Sequence, residues 1–438
     1  MKKTKLAVAI GLLATAPLSI AAEVDDLLSG WTQGASVALS SEYNWRGISQ
    51  SNEDAAISGQ FDLTHDSGVY VGAWASNTEY GDGRNSIEID AWIGFSNEID
   101  LGGLGLTYDI GFLHYEFPAV SAYNIDEVYF GLAIAPIENL NLSAYYYQDL
   151  GIENKFANNY ADVSADYTLP DWAWGATILG HIGHYDRQAG SSDYWDWKVG
   201  IAKDIGGFNF EVAYIDTDTT DDGGNGSNSD SRVVVTVSRE LNGSSADSQN
   251  MLPDGFSTSA SVALTTDYIY RGISQTMNDA AIQGSFDIEH ESGLYVGAWA
   301  SNVEFGGSEN AEIDAYAGFK NEIDLAGTGL SYDIGWLHYE YPSNSSLNYN
   351  EIYFGLGVSP VENLDLGIIY FHDVGVENKV GNYYVDMSAG YALGDLLWDT
   401  NIVTHLGHFD RQAGASDYWD WKIGINKDFG DFNFEVAY

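Results

Sequence analysis

The chain repeats itself. Residues Ala35–Tyr214 return as Ala260–Tyr438 with one position lost, so Tyr43-Asn44-Trp45-Arg46-Gly47-Ile48-Ser49-Gln50 is answered by Tyr268-Ile269-Tyr270-Arg271-Gly272-Ile273-Ser274-Gln275. A unit this long is far beyond the roughly 20–50 residues of a solenoid repeat. It is a domain-sized block, and any site assigned to one copy must be accounted for in the other.

Within each block the apolar residues alternate. Ile87, Ile89, Ala91, Ile93 and Phe95 interleave with Glu88, Asp90, Trp92 and Gly94, and Val128, Phe130, Leu132 and Ile134 interleave with Glu127, Tyr129, Gly131 and Ala133. A period of two means strands with one apolar and one polar face. In the first copy the segments fall near 35–45, 55–65, 69–77, 86–97, 105–116, 126–135, 140–149, 160–169, 174–184, 194–204, 208–216 and 231–241. Most run about ten residues, enough to cross a bilayer at a tilt near 45°. Beyond the leader, every proline lies at a segment end or in a connection, where its missing N–H breaks no ladder. Connections alternate between short (Asp66-Ser67-Gly68; Ile205-Gly206-Gly207) and long and polar (Arg46–Asp54, Thr78–Asn85, Leu150–Asn159, Thr217–Asp230). Short turns on one side and long loops on the other mark an outer-membrane barrel. A soluble sandwich also alternates, but it does not explain acids on the polar face of most segments. Aromatic residues near segment ends (Tyr43, Trp45, Tyr115, Phe117, Tyr145, Tyr147, Trp172, Trp174, Trp195) read as interface girdles.

The fold expected is therefore all-β: an antiparallel transmembrane β-barrel of about twelve strands per copy, in two tandem copies. One large barrel formed by both copies is the alternative. The divisions expected are a signal peptide at 1–22, an N-terminal segment at 23–34, barrel copy 1 at 35–241, a linker at 242–258 and barrel copy 2 at 259–438, which lacks a counterpart of the last strand.

Lys2, Lys3 and Lys5, an apolar run from Leu6 to about Ile20, and Ala21-Ala22 form the three parts of a secretory leader. No cysteine exists to form a disulfide or carry a lipid anchor. Acids outnumber bases 64 to 17, a net charge of −47 that becomes more negative when the leader's lysines are removed. Such a chain repels phosphate backbones, which excludes nucleic acid as a partner. An outer-membrane location follows, with lipid, lipopolysaccharide and small polar or cationic solutes as partners.

The run Val37-Ala38-Leu39, Tyr43, Arg46-Gly47-Ile48-Ser49-Gln50, then Phe61-Asp62, Ser67-Gly68, Tyr70-Val71-Gly72 and Trp74-Ala75-Ser76-Asn77 resembles the TorF-like family of putative proteobacterial outer-membrane porins. The resemblance spans essentially each copy and implies an outer-membrane barrel with a channel role. It brings no catalytic residues with it. The usual member has one copy, whereas this chain has two.

If the apolar face meets lipid, the polar face lines a lumen. In copy 1 that face carries Asp62, Glu88, Asp90, Asp109, Glu127, Asp162, Asp166, Asp196 and Glu211. In copy 2 it carries Asp287, Glu312, Asp314, Asp333, Glu351, Asp386, Asp420 and Glu435, with Gly390 in place of one acid. An acidic wall favours cations, and too few bases exist to pair all these acids. The function expected is a porin-like channel for small polar solutes with a cation bias. A closed structural or adhesive barrel acting through its acidic extracellular loops is the alternative. Lys198 shares a face with Asp196 and is expected to pair with it. Arg46, Lys155, Arg187, Arg271, Lys379 and Arg411 lie in or at the base of long loops. There they could fold into the mouth or, more simply, tie acidic loops together or meet lipopolysaccharide phosphates. His181 and His184 stand three apart on one strand and point to opposite faces, so they do not share a metal. The acidic run Asp216–Asp222 lacks the spacing of a calcium loop and reads as solvated. No Ser–His–acid set recurs in both copies, so neither an enzyme nor a cofactor is expected.

Overall fold

The computed structural model describes residues 8–9, 29–80, 84–152, 157–188, 192–219, 228–241, 252–307, 309–325, 328–374, 381–394, 399–412 and 415–438. Two compact units divide the chain, one built chiefly of residues 28–251 and the other of 252–438.

The first unit is a closed barrel of twelve antiparallel strands. In chain order they are Trp31–Ser40, Ala56–His65, Val69–Tyr80, Arg84–Asp100, Gly105–Glu116, Ile125–Ile137, Leu140–Asp149, Asn159–Thr168, Thr177–Asp186, Tyr194–Ile205, Phe208–Thr217 and Arg232–Glu240. Each pairs with the next. The last pairs with the first, with Thr236 opposite Ser40 and Glu240 opposite Ser36. The Ser40 and Thr236 hydroxyls meet at 2.9 Å across this closure. A sheet closed on itself has no unpaired edge, so the first copy forms its own barrel and the single large barrel is ruled out.

The second unit repeats the order with eleven strands, from Phe256–Thr265 to Phe432–Ala437. The twelfth position is filled by a two-residue strand, Val8–Ala9, with Ala9 opposite Thr265 and Val8 opposite Val436. Those two residues lie in the stretch read as a cleavable leader.

The alternation decides which face is which. Ile93, Ile110, Val163, Ile182 and Val199 are exposed large apolar side chains on successive parts of the wall. Acids on the opposite face of the wall strands, among them Glu88, Asp90, Glu127 and Asp196, are buried. A soluble fold would bury the first set and hydrate the second. A bilayer-spanning barrel does the reverse.

Two sequence expectations change. The first strand ends at Ser40 rather than running to residue 45, because the chain turns away from the wall there. Several aromatics read as girdle residues are interior: Tyr115 and Phe117 are each only 5% exposed. Trp172, Trp174 and Trp195 are exposed, as girdle residues should be.

Since Arg232–Glu240 seals the first barrel without help, residues 29–241 produced alone should fold into a β-structured species. Its gel migration should change on heating in detergent. An unfolded product by circular dichroism would contradict the closure described here.

Candidate functional site: a hairpin folded into the barrel

Beyond Ser40 the chain makes a small hairpin, Asn44–Trp45 paired with Ile48–Ser49. Its two tip residues, Arg46 and Gly47, have φ of 48° and 81°. Two successive residues with positive φ make the type I′ turn that suits a two-residue hairpin. Glycine accepts that conformation freely, but arginine does not, so the arginine must be held there by other contacts.

The contacts are extensive. Arg46 Nη2 donates to both carboxylate oxygens of Glu127, at 2.9 and 2.7 Å. The guanidinium carbon lies 4.3 Å from the ring centre of Trp45, 4.5 Å from Tyr160, 5.0 Å from Tyr185 and 5.3 Å from Tyr147. Tyr194 donates its hydroxyl to the Arg46 carbonyl at 2.9 Å. These partners come from five different wall strands, so the hairpin tip lies inside the barrel. On its other side Arg232 Nη2 donates to the Gly47 carbonyl at 3.2 Å and Arg232 Nη1 to Glu42 at 3.3 Å. Burial pushes the Glu42 carboxyl up from its ordinary range, while Arg232 pulls it back.

Gly47 is required by space as well as by conformation. A Cβ there would lie 2.4 Å from Thr217 Cγ2 and 2.5 Å from Asp196 Cβ. Gly47→Ala should therefore prevent the hairpin from seating, read out as faster protease cleavage between residues 41 and 55.

The second copy builds the same device. Arg271 has φ of 47° and reaches Glu351 through both terminal nitrogens, at 2.9 and 2.6 Å. It lies against Tyr270, Phe371, Tyr384 and Phe409. Tyr418 donates to its carbonyl at 3.0 Å. Of the loop arginines, Arg46 and Arg271 thus fold inward rather than tie loops together, each buried against a carboxylate. Arg187 and Arg411 do remain in the loops, each with its backbone N–H on an aspartate, Asp193 and Asp417. Lys155 and Lys379 lie outside the described residues.

The acids on the interior face find more partners than a count of bases suggests. His181 bridges Asp162 and Asp196, with Nδ1 at 3.4 Å and Nε2 at 2.9 Å, and His405 repeats this with Asp386 and Asp420 at 2.9 and 2.5 Å. Lys198 pairs with Glu211 at 3.1 Å and Lys422 with Glu435 at 2.9 Å. The expected Lys198–Asp196 pair is absent because His181 and the Tyr160 hydroxyl already occupy Asp196. His184 points the other way and packs on Trp195, ring centres 4.6 Å apart.

Tyrosine hydroxyls supply donors that reasoning from charge overlooked. Tyr70 donates to Asp109 at 2.5 Å and Tyr295 to Asp333 at 2.6 Å, Tyr43 to Glu88 at 3.1 Å and Tyr268 to Glu312 at 3.4 Å, Tyr115 to Glu127 at 3.0 Å and Tyr339 to Glu351 at 2.9 Å. Tyr316 donates to Asp287. Asp62 and Asp166 are part-exposed on the same face. Asp90 and Asp314 are buried, each with one oxygen that has no hydrogen-bond partner. Among the described residues no group of three or more His, Cys, Asp or Glu is placed to hold a metal.

Beside the hairpin of the first barrel lies a cavity of about 520 Å³. Its lining includes Trp45, Arg46, Tyr160, Asp162, His181 and Lys198.

A closed antiparallel barrel, apolar outside and polar inside, defines a transmembrane β-barrel protein in two tandem copies. The chain belongs to the family described as "Bacterial protein of unknown function (Gcw_chp)", whose model matches residues 25–241 and again 251–438. Among proteins of curated function none matches. Solved structures similar to the chain include the KdgM porin in complex with disordered oligogalacturonate, at 9% identity and TM-score 0.34, covering 48% of this chain and 98% of that one. OpdK of Pseudomonas aeruginosa with vanillate is 10% identical with TM-score 0.25, covering 93% and 98%. CdiB from Acinetobacter baumannii is 9% identical with TM-score 0.27, covering 94% and 60%.

Proposed function

We propose that this protein is an outer-membrane channel of a Gram-negative cell that passes small polar solutes and favours cations. The resemblance of its opening motif to the TorF-like porins points the same way. The observation that carries the reading is the polar cavity beside the hairpin, enclosed by a wall whose outer face is apolar. A barrel serving only as an anchor has no need of it. The cation preference rests on Asp62, Asp109 and Asp166, and on Asp287 and Asp333 in the second copy. None of these forms an ion pair with a base among the described residues. Tyrosine donors hold some of them in place without cancelling their charge, so the field inside stays negative and favours cations.

Purified protein in planar bilayers should give discrete conductance steps and, across a salt gradient, a reversal potential of the sign for cation preference. Changing the five aspartates to asparagine should move that potential toward zero. Absence of any steps would overturn the channel reading.

One observation favours a second reading, a closed structural barrel: each barrel carries its own plug-like hairpin. In copy 2, Tyr268, Tyr339 and Tyr341 add an aromatic core beside it. On that reading the native protein is silent in bilayers while its loops act at the surface.

A further inference from the structure

We infer that the interior of the first barrel holds a binding site for a neutral, hydroxyl-rich solute of the size of a mono- or disaccharide, and that the second barrel has lost it. The inference deepens the channel reading by naming the solute class, and its test does not depend on conduction.

Three buried polar atoms on residues lining the cavity have no hydrogen-bond partner: Asn44 Nδ2, Arg46 Nη1 and Asp162 Oδ1. The Arg46 side chain is only 5% exposed. A buried donor or acceptor left unmade costs about 1–3 kcal/mol, so these atoms call for something that both accepts and donates. Two are donors and one is an acceptor. A hydroxyl can serve either kind.

Charge argues against an ionic ligand at this place. Each charged side chain lining the cavity already has an opposite partner: Arg46 with Glu127, Glu42 with Arg232, Lys198 with Glu211, and His181 between Asp162 and Asp196. An ion held here would lose hydration and find most of the charge already paired, Asp162 and Asp196 sharing the one His181. A polyol would lose less hydration, and its hydroxyls match the mix of unpaired donors and acceptor on the residues that line the space. Aromatic surface is present too, since Tyr43, Trp45 and Trp74 also line the space. A volume of about 520 Å³ lies within the roughly 300–1,000 Å³ typical of small-molecule sites.

The second copy is the internal comparison. Ile269 stands where Asn44 stands, which removes one free donor. Arg271 uses both terminal nitrogens on Glu351, which removes the other. Tyr270 replaces Trp45 and spends its hydroxyl on Tyr339 and Tyr349, at 3.0 and 2.9 Å. The Arg–Glu, His–Asp and Lys–Glu contacts recur, although the Glu42–Arg232 pair has no counterpart, and the unsatisfied atoms at these two hairpin positions are gone. Selection for folding alone would have no reason to keep them in one copy.

The test is a titration of the detergent-solubilised full chain with glucose, sucrose, arginine and succinate, followed by tryptophan fluorescence. Trp45 and Trp74 border the cavity and report its occupancy. Saturable changes are expected with glucose or sucrose and not with arginine or succinate. Asn44→Ile, which installs the residue of the second copy, should weaken sugar binding about tenfold or more, as loss of a buried hydrogen-bond donor in a specific site does. Ile269→Leu should leave it unchanged. Asn44→Ile that still shows heat-dependent gel migration rules out misfolding as the cause. No saturable sugar response, or a response that Asn44→Ile leaves intact, overturns the inference and means that water alone satisfies these atoms. Sugar binding without bilayer current would leave the site standing and remove the channel. Current without sugar binding would do the opposite.

Discussion

Replacing Arg46 and Arg271 together with alanine is expected to raise the conductance in planar bilayers severalfold and to destabilise each barrel by about 3–5 kcal/mol, the range for leaving one member of a buried ion pair alone. Glu127 and Glu351 are each 1% exposed. Without the guanidinium, Glu127 keeps the Tyr115 hydroxyl and Glu351 that of Tyr339. The hairpin tip loses its ion pair with the wall and four aromatic faces, each such contact giving about 0.5–2 kcal/mol. With the left-handed arginine no longer held, the hairpin should leave the interior and widen the passage. Unit conductance and the temperature of the gel shift measure the two effects separately. A fall in stability with conductance unchanged would show that the hairpin is not the narrowest point. A silent native protein that conducts only as the double variant would identify the hairpin as a plug.

The second large effect is expected on the outer face. Ile110 and Ile334 occupy the middle of their strands, and each is 54% exposed. In a soluble protein, arginine at such a position would cost almost nothing. At the bilayer midplane it costs about 2–4 kcal/mol. Ile110→Arg combined with Ile334→Arg should therefore cut the yield of folded protein in lipid vesicles sharply. Leu106→Arg, on the same face but nearer a strand end, should be tolerated better. Equal folding of the two variants in vesicles would mean that this face does not meet lipid.

The strands were largely legible in the sequence because each carries its own alternation. Gly105–Glu116 and Leu140–Asp149 fall where the pattern puts them, and most others within three residues. Doubling helped, since a pattern seen twice is seldom accidental. The hairpin was not legible. Asn44-Trp45-Arg46-Gly47-Ile48-Ser49 reads as a polar loop until Glu127 and Tyr160, far away in sequence, are brought beside it. The one local hint was Arg-Gly between two short pairing segments, a weak signal because arginine rarely takes positive φ. The state of the acids was misjudged for another reason. Counting bases ignores neutral donors, and a barrel with so many inward tyrosines holds carboxylates by hydroxyl as often as by charge. Tyr115 shows the same limit: an aromatic near a strand end can serve either face, and only register decides which.

Closure of the first barrel through Arg232–Glu240 has a consequence for how this protein tolerates change. That barrel needs no strand from the other copy, so damage to one copy need not unfold the second. If each barrel conducts as proposed, a lesion such as Gly47→Ala should alter the current through the first copy and leave that through the second. The duplicated chain carries its own spare, and a spare is free to drift. The exchange of Asn44 for Ile269 is the kind of drift such redundancy permits.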